Sequence, residues 1–127
     1  MPETPVASRL GIRPGSTLWF SPIEWLHLLG PLPPGVRMTG EYAGANVAVM
    51  FVSSAGSVQW FLRRYGTVVT MPPAVWMCTP TRERADFNRA YLATMLGSHG
   101  LHSLAEIPID AAWTATRIGI GRSFAPA

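Results

Sequence analysis

The 127-residue sequence has no lysine, one cysteine and few charged residues. Because Cys78 has no second cysteine to pair with, an intrachain disulfide is excluded. Charged residues make up 13% of the chain, about half of the ~25% that is usual in soluble domains. The longest apolar run, from Val47 to Val52, is far shorter than the ~20 residues that cross a bilayer. A membrane-spanning protein is therefore excluded.

A secretory signal is also missing from the start of the sequence. Residues 1–5 lack the basic start and the apolar stretch of a signal peptide, and together with the single cysteine this predicts a cytoplasmic protein. A length of 127 residues with 48% hydrophobic residues predicts one compact domain. We expect a lead-in over residues 1–16, a single domain over residues 17–121 and a tail over residues 122–127.

The positive charge comes entirely from arginine. Ten arginines and seven acidic residues give a net charge of +3. The arginines are scattered, and Glu83 and Asp86 interrupt their densest group, over residues 82–89. A nucleic-acid-binding stripe is denser than this, and arginine without lysine, beside many Ala, Gly and Pro, is typical of a GC-rich genome. We expect no nucleic-acid partner.

Apolar and β-branched runs alternate with helical periodicity along the chain. The run over residues 46–53 lacks the polar alternation of a half-exposed strand, which favours a parallel strand buried on both faces. Strand patterns cover residues 17–20, 36–39, 46–53, 74–79, 104–109 and 113–120. This alternation predicts an α/β fold, a small Rossmann-like three-layer sandwich with a mostly parallel sheet and a C-terminal antiparallel hairpin.

Three connections between these strands carry helix signals. Ser21-Pro22-Ile23-Glu24 has the pattern of a reciprocal capping box, so we expect a helix that begins at Pro22, buries Ile23 and ends at Gly30. The expected N-caps, all with short side chains that accept hydrogen bonds, are Ser21 for the first helix, Ser53 or Ser54 for the second, and Thr81 or Asp86 for the third.

Several short stretches, in a fixed order, resemble a known family. They are Leu10-Gly11-Ile12-Arg13-Pro14-Gly15, Leu29-Gly30-Pro31-Leu32-Pro33 before Gly35-Val36, Phe51-Val52-Ser53-Ser54, Val75-Trp76, and Ile109-Asp110 before Trp113-Thr114-Ala115. From about Leu10 to Ile118 the chain resembles the small bacterial family catalogued as domain of unknown function 3052. The resemblance implies a trimmed, class I methyltransferase-like Rossmann fold whose hairpin corresponds to the last two strands, and no established activity.

Two positions depart from that family's pattern. Cys78-Thr79-Pro80 stands where the family has Tyr-Pro-Lys after the fourth strand, and Ala111 replaces the acidic residue that follows Ile-Asp. Any family role of that lysine or acid is therefore lost or changed in this chain.

The connection after the first strand argues against a nucleotide cofactor. Sites for S-adenosylmethionine or a dinucleotide need a glycine-rich turn there, because only glycine lets backbone N–H groups approach the ligand. This chain has Phe20-Ser21-Pro22-Ile23, and the proline removes a donor. Glu41 has the position of a ribose-binding acid in Rossmann folds, but we expect it to be an exposed loop glutamate. We expect no cofactor.

Ligands of open α/β sheets bind beyond the carboxyl ends of the strands, and most polar candidates gather there. Cys78 is either a nucleophile or a buried, inert thiol, and Asp110 needs a partner that its own turn can supply. His27, His99 and His102 fit no metal-ligand spacing, so no metal is expected. The candidate ligand-crevice residues are Ser21, Ser53, Ser54, Trp76, Cys78, Thr79, Asp86, Arg89, Asp110 and Trp113.

Two functions fit this pattern. The first is a binding or accessory module that lacks the glycine-rich cofactor loop and does not transfer methyl groups. The alternative is a small cofactor-independent enzyme that acts on an apolar or aromatic molecule in the crevice. The expected partners are a small molecule or another protein, and the exposed sheet edges of so short a domain favour a homodimer.

Overall fold

A six-stranded sheet forms the middle layer of the protein in a computed structural model, which describes residues 5–120. The predicted tail over residues 122–127 lies outside this range. In chain order the strands are β1 (Thr17–Ser21), β2 (Arg37–Met38), β3 (Val47–Phe51), β4 (Ala74–Pro80), β5 (Leu101–Pro108) and β6 (Trp113–Ile120).

The sheet has the order β2-β1-β3-β4-β6-β5. Strands β1 to β4 are parallel, whereas β6 pairs antiparallel with both β4 and β5. The predicted parallel sheet with a C-terminal antiparallel hairpin is thus confirmed. The chain leaves β1 to one side to form β2 and returns past β1 to form β3, so the strand order reverses between β1 and β3.

Helices cover both faces of the sheet, which gives the predicted three layers. The α-helices are α1 (Val6–Arg9), α2 (Ala55–Tyr65) and α3 (Arg89–Gly97), and two 3-10 helices cover Ile23–Leu29 and Tyr42–Gly44. Helices α2 and α3 pack on one face through Phe61, Leu62 and Leu92. Helix α1 packs on the other face, beside Leu10, which follows it, and Leu29 of the first 3-10 helix. None of the helices within residues 5–120 is long and apolar enough to span a membrane.

Strand β3 is the central buried strand that its apolar run predicted. All five of its residues are buried, and it pairs with β1 on one side and β4 on the other. Alternate side chains enter opposite core layers, Val49 with α1 and Met50 with α2.

The capping box predicted at Ser21 is wrong. Ser21 is the last residue of β1, paired with Met50, and the Ser21–Pro22 peptide bond is cis. Pro22 is extended, with φ −75° and ψ 146°, and no side chain caps the 3-10 helix that follows. Ile23 is 58% exposed rather than buried, because this short helix turns it to the surface. The predicted end at Gly30 is confirmed, since that glycine has a φ of 69°.

The other two helix starts divide between confirmation and correction. Ser54 caps α2, accepting a hydrogen bond from the Ser57 N–H at 3.2 Å, as predicted. Helix α3 begins later than expected, with Asn88 as its cap, so Thr81 and Asp86 do not open it. The intervening residues form a tight turn in which Arg84 and Phe87 pair, and the chain becomes helical only beyond it.

Candidate functional site

A groove lies at the carboxyl ends of β1 and β3, where the strand order reverses. Its volume is about 380 Å³, within the ~300–1,000 Å³ usual for small-molecule sites. Open α/β sheets bind their ligands at such reversal points because the two connections diverge and leave a crevice. The groove is lined by Ser21, Pro22, Met50, Phe51, Val52, Gly56, Ser57 and Trp60.

Trp60 is the largest side chain of this groove, and sequence reasoning did not place it there. This residue is 53% exposed although it lies in the middle of α2. The buried residues of α2 are Val58, Phe61 and Leu62, so Trp60 falls off the apolar face. That mismatch between residue type and helix face is visible in the sequence and was the signal that could have found the site.

The N-terminus of α2 also opens onto the groove. The first N–H groups of a helix have no intrahelical partner. Ser54 accepts the hydrogen bond of the Ser57 N–H, and their two hydroxyls lie 2.9 Å apart. Gly56, in the first turn, lines the groove without a side chain to cover the backbone. Hydrogen-bond donors and the positive end of the helix dipole therefore face the same space as Trp60.

A guanidinium group adds positive charge beside this helix start. Arg84 donates a hydrogen bond to the carbonyl oxygen of Ser53 at 2.8 Å, directly after β3. Arg84 also forms an ion pair with Asp86 at 3.3 Å, and the Asp86 side chain is 82% exposed. An ion pair as exposed as this one is largely screened by water. The predicted crevice residues Ser53 and Asp86 therefore contact Arg84 at the rim of the groove and do not line the groove itself.

Two further predicted residues lie at a separate, smaller pocket between β4, β6 and α3. Thr79 and Arg89 line this pocket, whose volume of about 30 Å³ holds little more than one water molecule. The Arg89 guanidinium pairs with Glu106 at 3.3 Å, and its backbone N–H donates to Glu83 at 2.7 Å. These contacts occupy the polar groups of the pocket with one another.

Cys78, Asp110 and Trp113 each have a structural role. Cys78 is fully buried, and burial raises the pKa of its thiol far above its ordinary value, so the reactive thiolate is disfavoured. One carboxylate oxygen of Asp110 accepts hydrogen bonds from the N–H groups of Ala112 and Trp113 at 2.7 and 2.9 Å. Asp110 is therefore satisfied by its own turn.

Trp113 and Trp76 complete the predicted set. Trp113 packs edge-on against Trp25 and Phe51, with ring centroids 5.2 and 5.0 Å apart, on the α1 side of the sheet. Trp76 is buried, and its indole N–H donates to the carbonyl oxygen of Leu10 at 2.8 Å, away from the groove. The groove therefore brings together Ser21 and, through its cap on α2, Ser54, while the other candidates lie outside it.

Comparisons with known proteins identify the fold and not a family. No family model matches the chain, and no curated protein matches it, so the resemblance to the domain of unknown function 3052 family stays a prediction. A Streptococcus agalactiae protein of the NADB-Rossmann superfamily superimposes with a TM-score of 0.57 at 8% identity, over 97% of this chain and 71% of its own. Sp1610 of Streptococcus pneumoniae, assigned as a tRNA (m1A22) methyltransferase, superimposes with a TM-score of 0.55 at 15% identity, over 96% and 70%.

These likenesses define the class: the chain has a Rossmann-like, methyltransferase-like α/β fold with a C-terminal antiparallel hairpin. The residues after β1 would have to hold the nucleotide cofactor that such a fold implies. Pro22 has no N–H to offer, and the 3-10 helix that follows does not begin with a glycine-rich turn. These residues do not fit a nucleotide cofactor held in the usual way. Glu41 is exposed in the structure.

No metal centre is found in the described part of the chain. Within residues 5–120, no group of three or more His, Cys, Asp or Glu side chains is arranged to hold an ion.

Proposed function

We propose that this protein is a small-molecule-binding module whose ligand occupies the groove between β1 and β3. The ligand is a planar molecule that bears a hydrogen-bond acceptor or a negative charge. A single observation carries the proposal: a half-exposed indole and an open helix N-terminus share one groove at the reversal point of the sheet.

Each part of the proposed ligand contacts a different part of the groove. A planar ring that packs against Trp60 gains about 0.5–1.5 kcal/mol from ring–ring interaction beyond the burial of its area. The acceptor group faces the N-terminus of α2, next to Gly56, where negative charge is stabilised. Met50 and Val52 supply apolar contacts on the floor. Together these features select a small aromatic acid or a nucleotide over an aliphatic cation.

Two observations support binding over catalysis. Cys78, the one thiol, is fully buried. The Asp110 carboxylate is held by its own hairpin turn, and neither Asp110 nor Asp86 lines the groove. We therefore propose a role in ligand sensing or as an accessory subunit, without methyl transfer.

A thermal-shift screen tests the proposal. The compounds are S-adenosylmethionine, S-adenosylhomocysteine, adenosine monophosphate and indole-3-acetate, against wild type, Trp60→Ala and Met71→Ala. Met71 is a matched control, because it is 62% exposed and lies outside the groove. A ligand at a hundredfold excess over its Kd adds about 2.7 kcal/mol of stability.

We expect one planar, acceptor-bearing compound to raise the midpoint of wild type and of Met71→Ala, and to lose most of that effect in Trp60→Ala. Equal shifts in all three proteins would place the ligand elsewhere. If S-adenosylmethionine stabilises the protein most strongly, the argument from Pro22 fails and a methyltransferase becomes the better proposal.

A further inference from the structure

A second cavity lies at the opposite edge of the sheet, beside the amino ends of β3 and β4. Its volume is about 550 Å³, larger than the groove and within the usual range for a small-molecule site. The segment after α1 forms one wall, and the bond from the Trp76 indole to Leu10 holds that wall against the sheet. The cavity lining includes Arg9, Arg13, Arg117, Asn46, Ala74 and Trp76.

Three guanidinium groups line this cavity, and no carboxylate among residues 5–120 does. They belong to Arg9, Arg13 and Arg117, all of which are exposed. The ion pairs within residues 5–120 involve Arg84 and Arg89, so these three cations have no acidic partner there. Like charges gathered without counter-charges repel one another, and a bound anion relieves that repulsion.

The topology sharpens the separation of charge. Glu24, Glu41, Asp86 and Asp110 all follow the carboxyl ends of strands. The amino edge instead carries three more arginines. Arg37 is there because β2 starts at this edge, and Arg63 and Arg64 are there because α2 runs back from the end of β3 and ends at this edge. Six arginines that are scattered in the sequence are thus collected at this edge by the fold, whereas Arg82, Arg84 and Arg89 follow the carboxyl end of β4.

Apolar side chains and one amide group also line the cavity. Val47, Ala74 and the buried face of Trp76 form the floor. The side-chain oxygen of Asn46 accepts the hydrogen bond of the Thr17 N–H at 2.8 Å. Its NH₂ group is therefore left to donate at the cavity wall.

We propose that this cavity binds a small organic oxyanion, a phosphate or carboxylate carried on an apolar or aromatic body. The arginines and Asn46 hold the oxyanion, since guanidinium groups match phosphate and carboxylate oxygens in pairs. The apolar floor takes the body of the ligand. A concave site with an apolar floor favours a small molecule over an extended polyanion, which needs a long basic track. This site is distinct from the groove, so neither proposal depends on the other.

The test is an NMR titration of the ¹⁵N-labelled full chain with phenyl phosphate, with benzoate, phenol and inorganic phosphate as separate arms. The five tryptophans give five indole N–H signals, of which Trp76 reports on this cavity and Trp60 on the groove. We expect phenyl phosphate or benzoate to move the Trp76 signal and leave that of Trp60 in place. Phenol, which lacks the anion, should bind at least tenfold more weakly.

Matched variants decide whether the arginines hold the anion. R9Q/R13Q removes two cavity cations, and R63Q/R64Q removes two cations of α2 that do not line it. We expect the first pair to weaken binding at least tenfold and the second to change it less than twofold, with both proteins retaining the wild-type thermal midpoint. The proposal is overturned if the two pairs lose the same affinity or if R9Q/R13Q binds as tightly as wild type. It is also overturned if none of the compounds moves the Trp76 signal, or if a single-stranded RNA 20-mer displaces phenyl phosphate.

Discussion

Substitution of Tyr42 by Phe removes one oxygen atom from the core and little else. Tyr42 is 3% exposed, and its hydroxyl donates a hydrogen bond to the carbonyl oxygen of Val69 at 2.7 Å. This bond ties the second 3-10 helix to the loop between α2 and β4. Burial, with a smaller contribution from Tyr65, raises the pKa of the Tyr42 hydroxyl far above its ordinary value. The Tyr42 ring also packs against Trp19 and Tyr65, at centroid distances of 5.0 and 4.7 Å.

The loss in the free energy of unfolding follows from the groups that stay in the core after the substitution. The phenylalanine ring keeps those aromatic contacts, so no large cavity forms. The Val69 carbonyl stays buried and loses its partner, which costs about 1–3 kcal/mol. We expect Tyr42→Phe to lose ~2 kcal/mol, and at this chain length that lowers the thermal midpoint by roughly 6–10 °C. Urea unfolding followed by circular dichroism measures the first quantity, and a thermal scan measures the second.

Tyr91→Phe is the matched control. The Tyr91 hydroxyl accepts a hydrogen bond from the Gln59 amide at 3.3 Å in an exposed setting, where water replaces the lost partner. We expect this variant to stay within about 0.5 kcal/mol of wild type. The reasoning is refuted if Tyr42→Phe also stays within that limit, or if the two variants lose the same stability.

Three other predictions rest on buried or capping groups, and one concerns assembly. The free energy of unfolding should fall above about pH 9, by ~1.4 kcal/mol per pH unit for each of Cys78 and Tyr42. These residues have ordinary pKa values of 9.0 and 10.0, which folding raises, so the folded state keeps protons that the unfolded state releases. Urea titrations from pH 8 to 11 on wild type and Cys78→Ala check this, and an unchanged slope in the variant contradicts it. Ellman's reagent should modify Cys78 only at the rate of unfolding, and rapid native labelling would show that the thiol is accessible. Ser54→Ala should cost about 1 kcal/mol and Ser53→Ala less than half of that, since only Ser54 caps α2; equal losses refute the assignment. Light scattering should give twice the mass of one chain if the expected homodimer forms, and the mass of one chain rejects it.

Parts of the fold follow from sequence patterns that tertiary structure reinforces. The uninterrupted apolar run of β3 suits a strand with neighbours on both sides and helices on both faces, and only a central position offers that. Ser54 and Gly30 were predicted for a similar reason. A cap or a stop depends on nearby backbone groups, which the sequence itself supplies.

The errors arise where one local pattern fits two backbone conformations. Ser21 has the features of an N-cap, yet pairing with Met50 extends β1 through it, and a ladder hydrogen bond to the neighbouring strand outweighs a cap. Asp86 and Asn88 are both good caps. The turn between Arg84 and Phe87 decides between them, and that turn is not readable from residue types.

The topology predicted where the candidate site lies, but most of the predicted site residues do not line the groove. The rule that ligands bind at the carboxyl ends of strands predicted a site at this edge of the sheet and included Ser21, which lines the groove. Trp60 was not among the predicted crevice residues, because tryptophans are mostly buried; its place on α2, off the apolar face, indicates an exposed residue. The arginine cavity could not be foreseen, because Arg9, Arg13 and Arg117 meet only once the last strand pairs with β4.

The most direct test of the proposed function follows the indole N–H signal of Trp60 while the best-stabilising compound of the thermal-shift screen is titrated into the full chain. The proposal predicts a saturable change at Trp60, no change at Trp76, and loss of saturation at the same concentrations in Ser57→Arg, which fills the groove beside Gly56. Saturable binding that leaves the Trp60 signal where it was, or that persists unchanged in Ser57→Arg, would contradict a ligand site between β1 and β3.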